Sequence, residues 1–236
     1  MSFSPWITLL VFAGFLLDWS AIAFRRKTIK VFSKPLAMIL VILWTLVAAG
    51  WQLTLVIFIL LLGQVFGLIG DILLQLPKRW FMFGLGAFLV GHICYLILLI
   101  VQIIGPFRIG VYSQRWVLWV ILCLVLWIGI LAGFYRVFSP ISKRESHKSQ
   151  LWIAIQIYAG VLSLIVALSF LLLFLFPTDP PLLWLLPAGS ILFAISDALL
   201  SYNEFIKPIH HGQFWVRTTY HLAQFCLAGG FLSVIL

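Results

Sequence analysis

The sequence predicts an all-α fold, a polytopic membrane helix bundle with eight transmembrane helices in one integral membrane domain, residues 1–236. Composition is the first observation, because 64% of the residues are hydrophobic and only 9% are charged. The mean hydropathy of +1.19 is the second. Soluble domains have about 25% charged residues. The third observation is that the apolar residues form eight runs, most of them close to the ~20 residues that a spanning helix needs.

Turn residues and charges separate the eight predicted helices. The first run has no basic segment before it, as a secretory signal would have, so we expect it to be retained as a helix. Prolines are expected at helix ends, with Pro35 opening the second helix and Pro140 following the fifth. The three cysteines lie inside apolar runs and predict no disulfide. The predicted helices are 6–24, 35–50, 53–76, 81–104, 116–138, 151–176, 182–202 and 214–236.

The basic residues predict the orientation of the chain. Thirteen of the fifteen Lys and Arg residues follow the first, third, fifth or seventh helix. Basic loops remain in the cytoplasm, so both termini are expected outside it, in the inner membrane if the protein is bacterial. The same rule explains the net charge of +9 without a nucleic-acid partner. The thirteen are Arg25, Arg26, Lys27, Lys30, Lys34, Lys78, Arg79, Arg136, Lys143, Arg144, Lys148, Lys207 and Arg217.

Two aspartates stand inside apolar helices although the chain has only six acidic residues. Asp71 and Asp197 each follow a small residue and precede Leu-Leu, near the predicted cytoplasmic end of their helices. A carboxylate in a membrane helix is costly, which makes both of them candidates for function. Asp18 lies at a similar depth without this motif, and pairing with Lys34 or Arg25 would explain it.

The two aspartate motifs also indicate an internal duplication. Asp71 and Asp197 are 126 residues apart, which corresponds to four helices. A histidine follows each on the next helix, at His92 and His221. This pattern favours two tandem four-helix repeats inserted in the same direction. The predicted halves are residues 1–110 and 111–236.

Polar residues on several helices predict a common cavity. His92 and Tyr95 share a face of the fourth helix, and Tyr220 and Gln224 share a face of the eighth. We expect these faces to converge on a cavity that opens to the cytoplasmic leaflet. Because the chain has no HxxxH or HExxH motif, no metal and no cofactor are predicted.

An ordered set of short motifs resembles the YhhN family of integral membrane proteins, which includes animal lysoplasmalogenase. The resemblance runs from the second helix to the eighth. The chain departs from the family pattern at His221, in Tyr220-His221-Leu222-Ala223-Gln224, so no role is transferred to that histidine. The motifs are Lys34-Pro35-Leu36, Gly70-Asp71 with Leu73-Leu74, Phe83-Gly84-Leu85, His92 with Tyr95, Phe193 with Ser196-Asp197, Asn203, Phe205, and Tyr220 with Ala223-Gln224.

This resemblance implies an eight-helix fold and hydrolysis of the vinyl ether bond of lysoplasmalogen. The products would be a fatty aldehyde and glycerophosphoethanolamine or glycerophosphocholine. The expected partner is therefore a lysophospholipid taken from the cytoplasmic leaflet, surrounded by membrane lipids, and the oligomeric state is left open.

The chemistry of a vinyl ether agrees with two carboxyl groups. Protonation of its β-carbon gives an oxocarbenium ion that water captures, and glycosidases divide acid and base roles between two carboxyls at a similar transition state. Asp71 and Asp197 are the predicted catalytic pair, and which of them is the acid stays open. Lys34 would meet the substrate phosphate at the membrane surface. The remaining residues expected to bind or orient the substrate are His92, Tyr95, Ser196, Asn203, Tyr220 and Gln224.

A transporter or a lipid-binding membrane protein without catalysis is the alternative. Duplicated halves and paired intramembrane acids also fit a proton-coupled carrier. Transport predicts acidic residues near the midplane of the membrane. Counting residues along the helices instead places the two aspartates towards one face of the membrane. That depth favours a hydrolase whose substrate enters from one leaflet.

Overall fold

The computed structural model describes residues 4–108, 114–142, 149–175 and 181–236. Over these ranges the chain forms eight α-helices and two short 3-10 turns, with no β-strand. The helices are α1 (Pro5–Ala23), α2 (Lys27–Ala48), α3 (Leu55–Leu73), α4 (Phe81–Arg108), α5 (Trp116–Ser142), α6 (Ser149–Leu175), α7 (Leu185–Phe205) and α8 (Gly212–Ile235).

The predicted all-α membrane bundle is confirmed. Seven of the eight helices in the described ranges, α1 to α7, are long and apolar enough to cross a bilayer. The eighth has 24 residues, about 36 Å at 1.5 Å per residue, which exceeds the ~30 Å hydrocarbon core. Its first half carries Arg217, His221 and Gln224, all buried against the bundle, and these residues lower its hydropathy. The chain is a multi-pass membrane protein.

Consecutive helices pack antiparallel, as side-chain pairs along their lengths demonstrate. Between α1 and α2, Asp18 bonds Ser33 near one end and Thr8 bonds Trp44 near the other. At one end of the bundle, Lys78 after α3 pairs with Glu204 of α7 at 2.9 Å. Lys30 at the start of α2 likewise bonds Gln213 at the start of α8. We call this the basic end, defined by Lys30, Lys78, Glu204 and Gln213.

Small residues allow the closest helix contacts. A Cβ on Gly63 would lie 2.7 Å from the Tyr95 ring of α4, and one on Gly70 would lie 2.8 Å from Phe88. Gly189 of α7 is more constrained, because its Cβ would lie 2.8 Å from the backbone nitrogen of Leu227 in α8. The helix pairs that hold the two aspartates, α3 with α4 and α7 with α8, are therefore closely packed.

Three predicted helix boundaries near prolines are wrong, and one of them is the end of the fourth helix, which continues to Arg108 rather than ending at residue 104. The second helix begins at Lys27 rather than at Pro35, so this proline lies inside α2. The fifth helix continues to Ser142, beyond Pro140. Membrane helices tolerate internal proline because neighbouring side chains satisfy backbone groups that the ring disturbs. Arg217 donates to the carbonyl of Lys30, next to the Val31 carbonyl that loses its helical partner at the proline. Lys34 is consequently two turns inside α2.

The fifth helix lies at the periphery of the bundle. Only 6% of its apolar window is buried, compared with 28–61% in the other six candidate spans. It packs on α6 and touches α7. Within each predicted half the same neighbours pack, since α1 with α2 and α3 with α4 correspond to α5 with α6 and α7 with α8. The duplication itself stays a prediction.

Candidate functional site

Buried charged groups form a layer across the bundle, within about two turns of the helix ends at the basic end. They come from five different helices, and each is at most 8% exposed. Groups of this type are rare inside membrane helices and are paired or functional where they occur. The members of this layer are Asp18 of α1, Lys34 of α2, Asp71 of α3, Asp197 of α7 and Arg217 of α8.

Asp71 is held in a buried ion pair. Its Oδ1 atom lies 2.8 Å from Nζ of Lys34, and the Asp71 side chain has no exposed surface. The Tyr220 hydroxyl lies beside the same carboxylate, and the Lys34 ammonium lies 5.3 Å from the centre of the Tyr220 ring. The expectation of Lys34 at the membrane surface is therefore wrong. Its cation is in the interior, where it compensates the Asp71 charge.

Asp197 has a different kind of partner. The Tyr158 hydroxyl of α6 donates a hydrogen bond to its Oδ2 atom. The carboxyl is 6% exposed and lines a narrow, half-open cavity with room for about one water molecule. Tyr158 and Ser201 supply the other polar surface there, and the remaining lining is mostly apolar. No sequence motif points to Tyr158, although its place in the interior of an apolar helix, away from the interfacial belt usual for tyrosine, is a signal.

His92 lies beside the Asp197–Tyr158 pair. Its ring is 5.3 Å from the Tyr158 ring and 4.4 Å from Phe193, both edge to face. The side chain is 2% exposed. Neither ring nitrogen makes a well-formed hydrogen bond to the described residues, although the Phe88 carbonyl lies close by. The predicted substrate-orienting histidine is thus inside the site and is held mainly by aromatic contacts.

An aromatic cluster joins the two carboxyl groups. Phe88, Phe193 and Tyr220 contact one another edge to face, with centroids 5.4 to 6.5 Å apart. Tyr220 leads to Asp71, while Phe193 leads through His92 to Tyr158 and Asp197. The two aspartates that share a sequence motif are therefore linked through one cluster of contacting side chains.

A chain of polar groups extends from this site towards the opposite end of the bundle. Tyr95 of α4 donates to Oε1 of Gln224 at 2.8 Å. Nε2 of Gln224 in turn lies 3.4 Å from the Tyr220 hydroxyl. All three side chains are buried. The structure thus brings Tyr95, Tyr220 and Gln224 together, as the shared faces of α4 and α8 predict.

Ser196 and Asn203 mainly connect α7 with α8. The Ser196 hydroxyl donates to the carbonyl of Val216 at 3.0 Å. The Asn203 side-chain oxygen accepts from the backbone nitrogen of Ile209 at 2.8 Å and so closes the connecting turn. The structure gives these two residues partners in the protein rather than positions facing the cavity.

Asp18 belongs to a separate buried cluster. Its Oδ1 atom accepts from Arg217 at 2.7 Å and from Ser33 at 2.6 Å. Pairing with Lys34 or Arg25 is wrong, because Lys34 is used by Asp71. Nε2 of His221 lies 3.9 Å from Oδ2 of Asp18, and its other ring nitrogen accepts from Trp19 at 3.2 Å. Arg217, counted among the loop charges, is therefore an interior residue of α8.

Metal-binding side chains do not converge within the described ranges, where no group of three or more His, Cys, Asp or Glu could hold an ion. The polar side chains around the two central aspartates carry phenol, imidazole, amide and ammonium groups.

Comparison with known proteins gives one decisive match. The model of the YhhN family matches residues 29–231 of the 236-residue chain. The chain belongs to the YhhN family. The matched region begins within α2, so it contains both halves of the Lys34–Asp71 pair and the Asp197–Tyr158 pair. Asp18 lies outside this YhhN region. No curated protein and no solved structure matches the chain.

Proposed function

We propose that this YhhN protein is a lysoplasmalogenase-like membrane hydrolase that cleaves the vinyl ether bond of a lysoplasmalogen. The observation that carries the proposal is the pair of buried carboxyls, Asp71 and Asp197, in one site with unlike partners. A cation contacts the first and a phenol contacts the second. Such a difference separates the roles of two carboxyls in acid–base hydrolases.

Asp71 is the ionised member of the pair. Its contact with the Lys34 ammonium supports the charged form, since a buried carboxylate needs a cation or several hydrogen bonds. In this state it can stabilise the positive charge that develops on a vinyl ether during protonation. Lys34 keeps the site close to neutral before the substrate enters.

Asp197 is the proton donor. It has a neutral hydrogen-bonding partner, Tyr158, and it faces the cavity that has room for a water molecule. Tyr158 bonds one carboxyl oxygen, which leaves the other to carry the proton towards the substrate. These features support Asp197 as the acid, an assignment that the sequence leaves open.

The reaction proceeds in three steps. Asp197 transfers its proton to the β-carbon of the vinyl ether, and the enol ether oxygen stabilises the resulting cation. A water molecule adds to the cationic carbon and gives one proton to the Asp197 carboxylate. The product of this step is a hemiacetal. The carbon–oxygen bond to glycerol then breaks as that oxygen gains a proton and the hemiacetal hydroxyl loses one. The sum is addition of one water, which yields a fatty aldehyde and a glycerophospho-alcohol.

The neighbouring polar groups orient this chemistry. Tyr220 lies beside Asp71 and bonds Gln224, so it can donate to a substrate oxygen next to the ionised carboxyl. His92 packs against Tyr158 and keeps that phenol aligned with Asp197. General acid–base groups of this kind contribute about 10²–10⁴-fold in rate. No cofactor enters these steps.

Depth in the membrane favours the hydrolase over the carrier. The layer of charged groups lies near the basic end rather than at mid-bundle, as a substrate arriving from one leaflet requires. We propose that the basic end faces the cytoplasm, with both termini on the other side. The lysophospholipid would then enter from the cytoplasmic leaflet.

The test is aldehyde release by the purified protein. Wild type in detergent is incubated with lysoplasmalogen and, as a matched control, with the lysophospholipid that has an ester in place of the vinyl ether. We expect aldehyde from the first substrate and no fatty acid from the second. If neither is cleaved at any pH between 5 and 9, and liposomes containing the protein show substrate-dependent proton flux, the carrier is the correct function.

A further inference from the structure

We propose that an apolar groove between α5, α6 and α7 holds the hydrocarbon chain of a single-chain lipid and directs its polar end to Asp197. This inference rests on the proposed function and adds the route by which the substrate reaches the acid. The groove is lined only by apolar side chains and has a volume of about 790 Å³, including its open mouth. Its lining consists of Leu126, Ile130, Phe134, Val166, Phe170, Ile191, Ala194, Ile195 and Ala198.

The groove and the Asp197 cavity are neighbours. Phe134 of α5 lines both of them. On α5 the groove occupies positions 126–134 and the cavity positions 134–138. On α7 the groove occupies 191–198, and the cavity continues with Asp197 and Ser201. The antiparallel helix α6 shows the reverse order, with the groove at 166–170 and the cavity at 155–159. All three helices therefore place the cavity nearer the basic end than the groove, and on α5 and α7 the two sets of lining residues adjoin.

This geometry selects a chain that lies along the membrane normal. The combined length from Leu126 to Phe138 on α5 is about 18 Å at 1.5 Å per residue, more than half of the ~30 Å hydrocarbon core. A hydrocarbon chain in the groove would have its outer end deep in the membrane and its attached polar group beside Tyr158 and Asp197. A vinyl ether joins a chain to its headgroup at that position.

Small side chains on α7 make room for a hydrocarbon chain in the groove. Ala194 and Ala198 form part of its floor on α7, and the small side chains leave space for a chain against the helix. The groove adjoins α5, which is the least buried of the candidate spans. A lipid can therefore enter sideways from the bilayer without separating the tightly packed helices α3, α4, α7 and α8.

The test uses a photoreactive lysophospholipid with an alkyl ether chain, which has no vinyl ether and resists hydrolysis. Wild-type protein in nanodiscs is irradiated with this probe, and the labelled peptides are mapped by mass spectrometry. We expect labels on α5 and α7 around the groove, with at least fivefold less labelling in Ala194→Phe and in Ala198→Phe. Ala132→Phe is the matched control, because Ala132 is exposed on the opposite face of α5 and should label as wild type does.

Several outcomes would overturn the inference. Labels spread evenly over the lipid-facing sides of all helices would mean that the chain has no preferred groove. If added non-photoreactive lysophospholipid competes with the probe no better than an equal amount of added two-chain phospholipid, the groove holds ordinary bilayer lipid. Unchanged labelling of folded Ala194→Phe would place the chain elsewhere. Because the probe reports binding, groove labelling without aldehyde release from lysoplasmalogen would contradict the proposed reaction and leave this site intact.

Discussion

Nζ of Lys34 lies 2.8 Å from Oδ1 of Asp71, and both side chains are buried inside the helix bundle. Removal of one partner from a buried ion pair leaves an uncompensated charge inside the protein. This destabilises the fold by about 3–5 kcal/mol. The relationship explains why a lysine at the second helix and an aspartate at the third occur together. It also explains why the Lys34 ammonium is buried in the bundle and does not lie with the charged side chains of the basic end.

The ion pair predicts strong coupling between the two residues. Lys34→Met should lower the free energy of unfolding by about 3–5 kcal/mol. Because an apolar pair replaces a buried ion pair at little cost, the double variant Lys34→Met/Asp71→Leu should recover most of this loss. Thermal unfolding in detergent measures both variants.

A control separates this effect from loss of any lysine. Lys78→Met removes a lysine that is 90% exposed in its pair with Glu204, and it should change the free energy of unfolding by less than about 1 kcal/mol. The free energies of unfolding of Lys34→Met, Asp71→Leu and the double variant are compared. If the loss in the double variant equals the sum of the losses in the two single variants, the buried ion pair is contradicted.

Tyr158→Phe tests the partner assigned to Asp197. The change removes one hydroxyl and keeps the ring that packs on His92. Asp197 becomes a carboxylate as it gives up its proton, and hydrogen bonds to charged groups contribute about 1.5–3 kcal/mol. Loss of this bond in the transition state should lower kcat roughly 10- to 100-fold, with KM within threefold of wild type. Aldehyde release gives both constants. Tyr135→Phe, at an exposed position on α5, is the control and should match wild type; an unchanged kcat in Tyr158→Phe would remove this residue from the mechanism.

Gly189→Ala tests the close contact of α7 with α8. The added Cβ would lie 2.8 Å from a backbone nitrogen of α8, which cannot move as a side chain does. Overpacking of this kind costs about 1–3 kcal/mol. Gly86→Ala is the matched control, because a Cβ there meets nothing within 4 Å, and the helix preference of alanine should stabilise it slightly. Equal unfolding temperatures for the two variants would contradict the described packing.

The orientation of the bundle can be measured with two introduced cysteines. In a background without Cys94, Cys123 and Cys226, Lys207→Cys reports the basic end and Gln52→Cys the opposite end. An impermeant thiol reagent on intact cells should label the second variant and should reach the first only after permeabilisation. The reverse pattern would place the basic end outside the cytoplasm.

The sequence predicts the helices and the two central aspartates well, for a simple physical reason. Spanning helices can be predicted by counting the residues in each apolar run. A carboxylate in such a run is easily recognised as a candidate because burying it in a membrane helix costs free energy. Asp71 and Asp197 are therefore visible before any fold is known. The close contacts at Gly63 and Gly70 follow in the same way from their spacing on one helix face.

The partners of these aspartates are harder to predict, because pairing depends on which helices become neighbours. Lys34 could reach either Asp18 or Asp71 by depth alone, and only the position of Arg217 on α8 decides between them. Tyr158 is separated from Asp197 by a helix boundary and belongs to no motif. The predicted start of α2 at Pro35 is wrong because neighbouring helices can satisfy backbone groups near an internal proline.

The most direct test of the carboxyl pair compares the three buried aspartates as a set. Asp18→Asn, Asp71→Asn and Asp197→Asn are purified, checked for folding by thermal unfolding, and assayed for aldehyde release from lysoplasmalogen. We expect folded Asp18→Asn to retain activity within tenfold of wild type, while the other two lose at least about 100-fold, the lower range for an acid–base group. Full activity of folded Asp71→Asn or Asp197→Asn would contradict the assignment of this carboxyl pair as the catalytic centre.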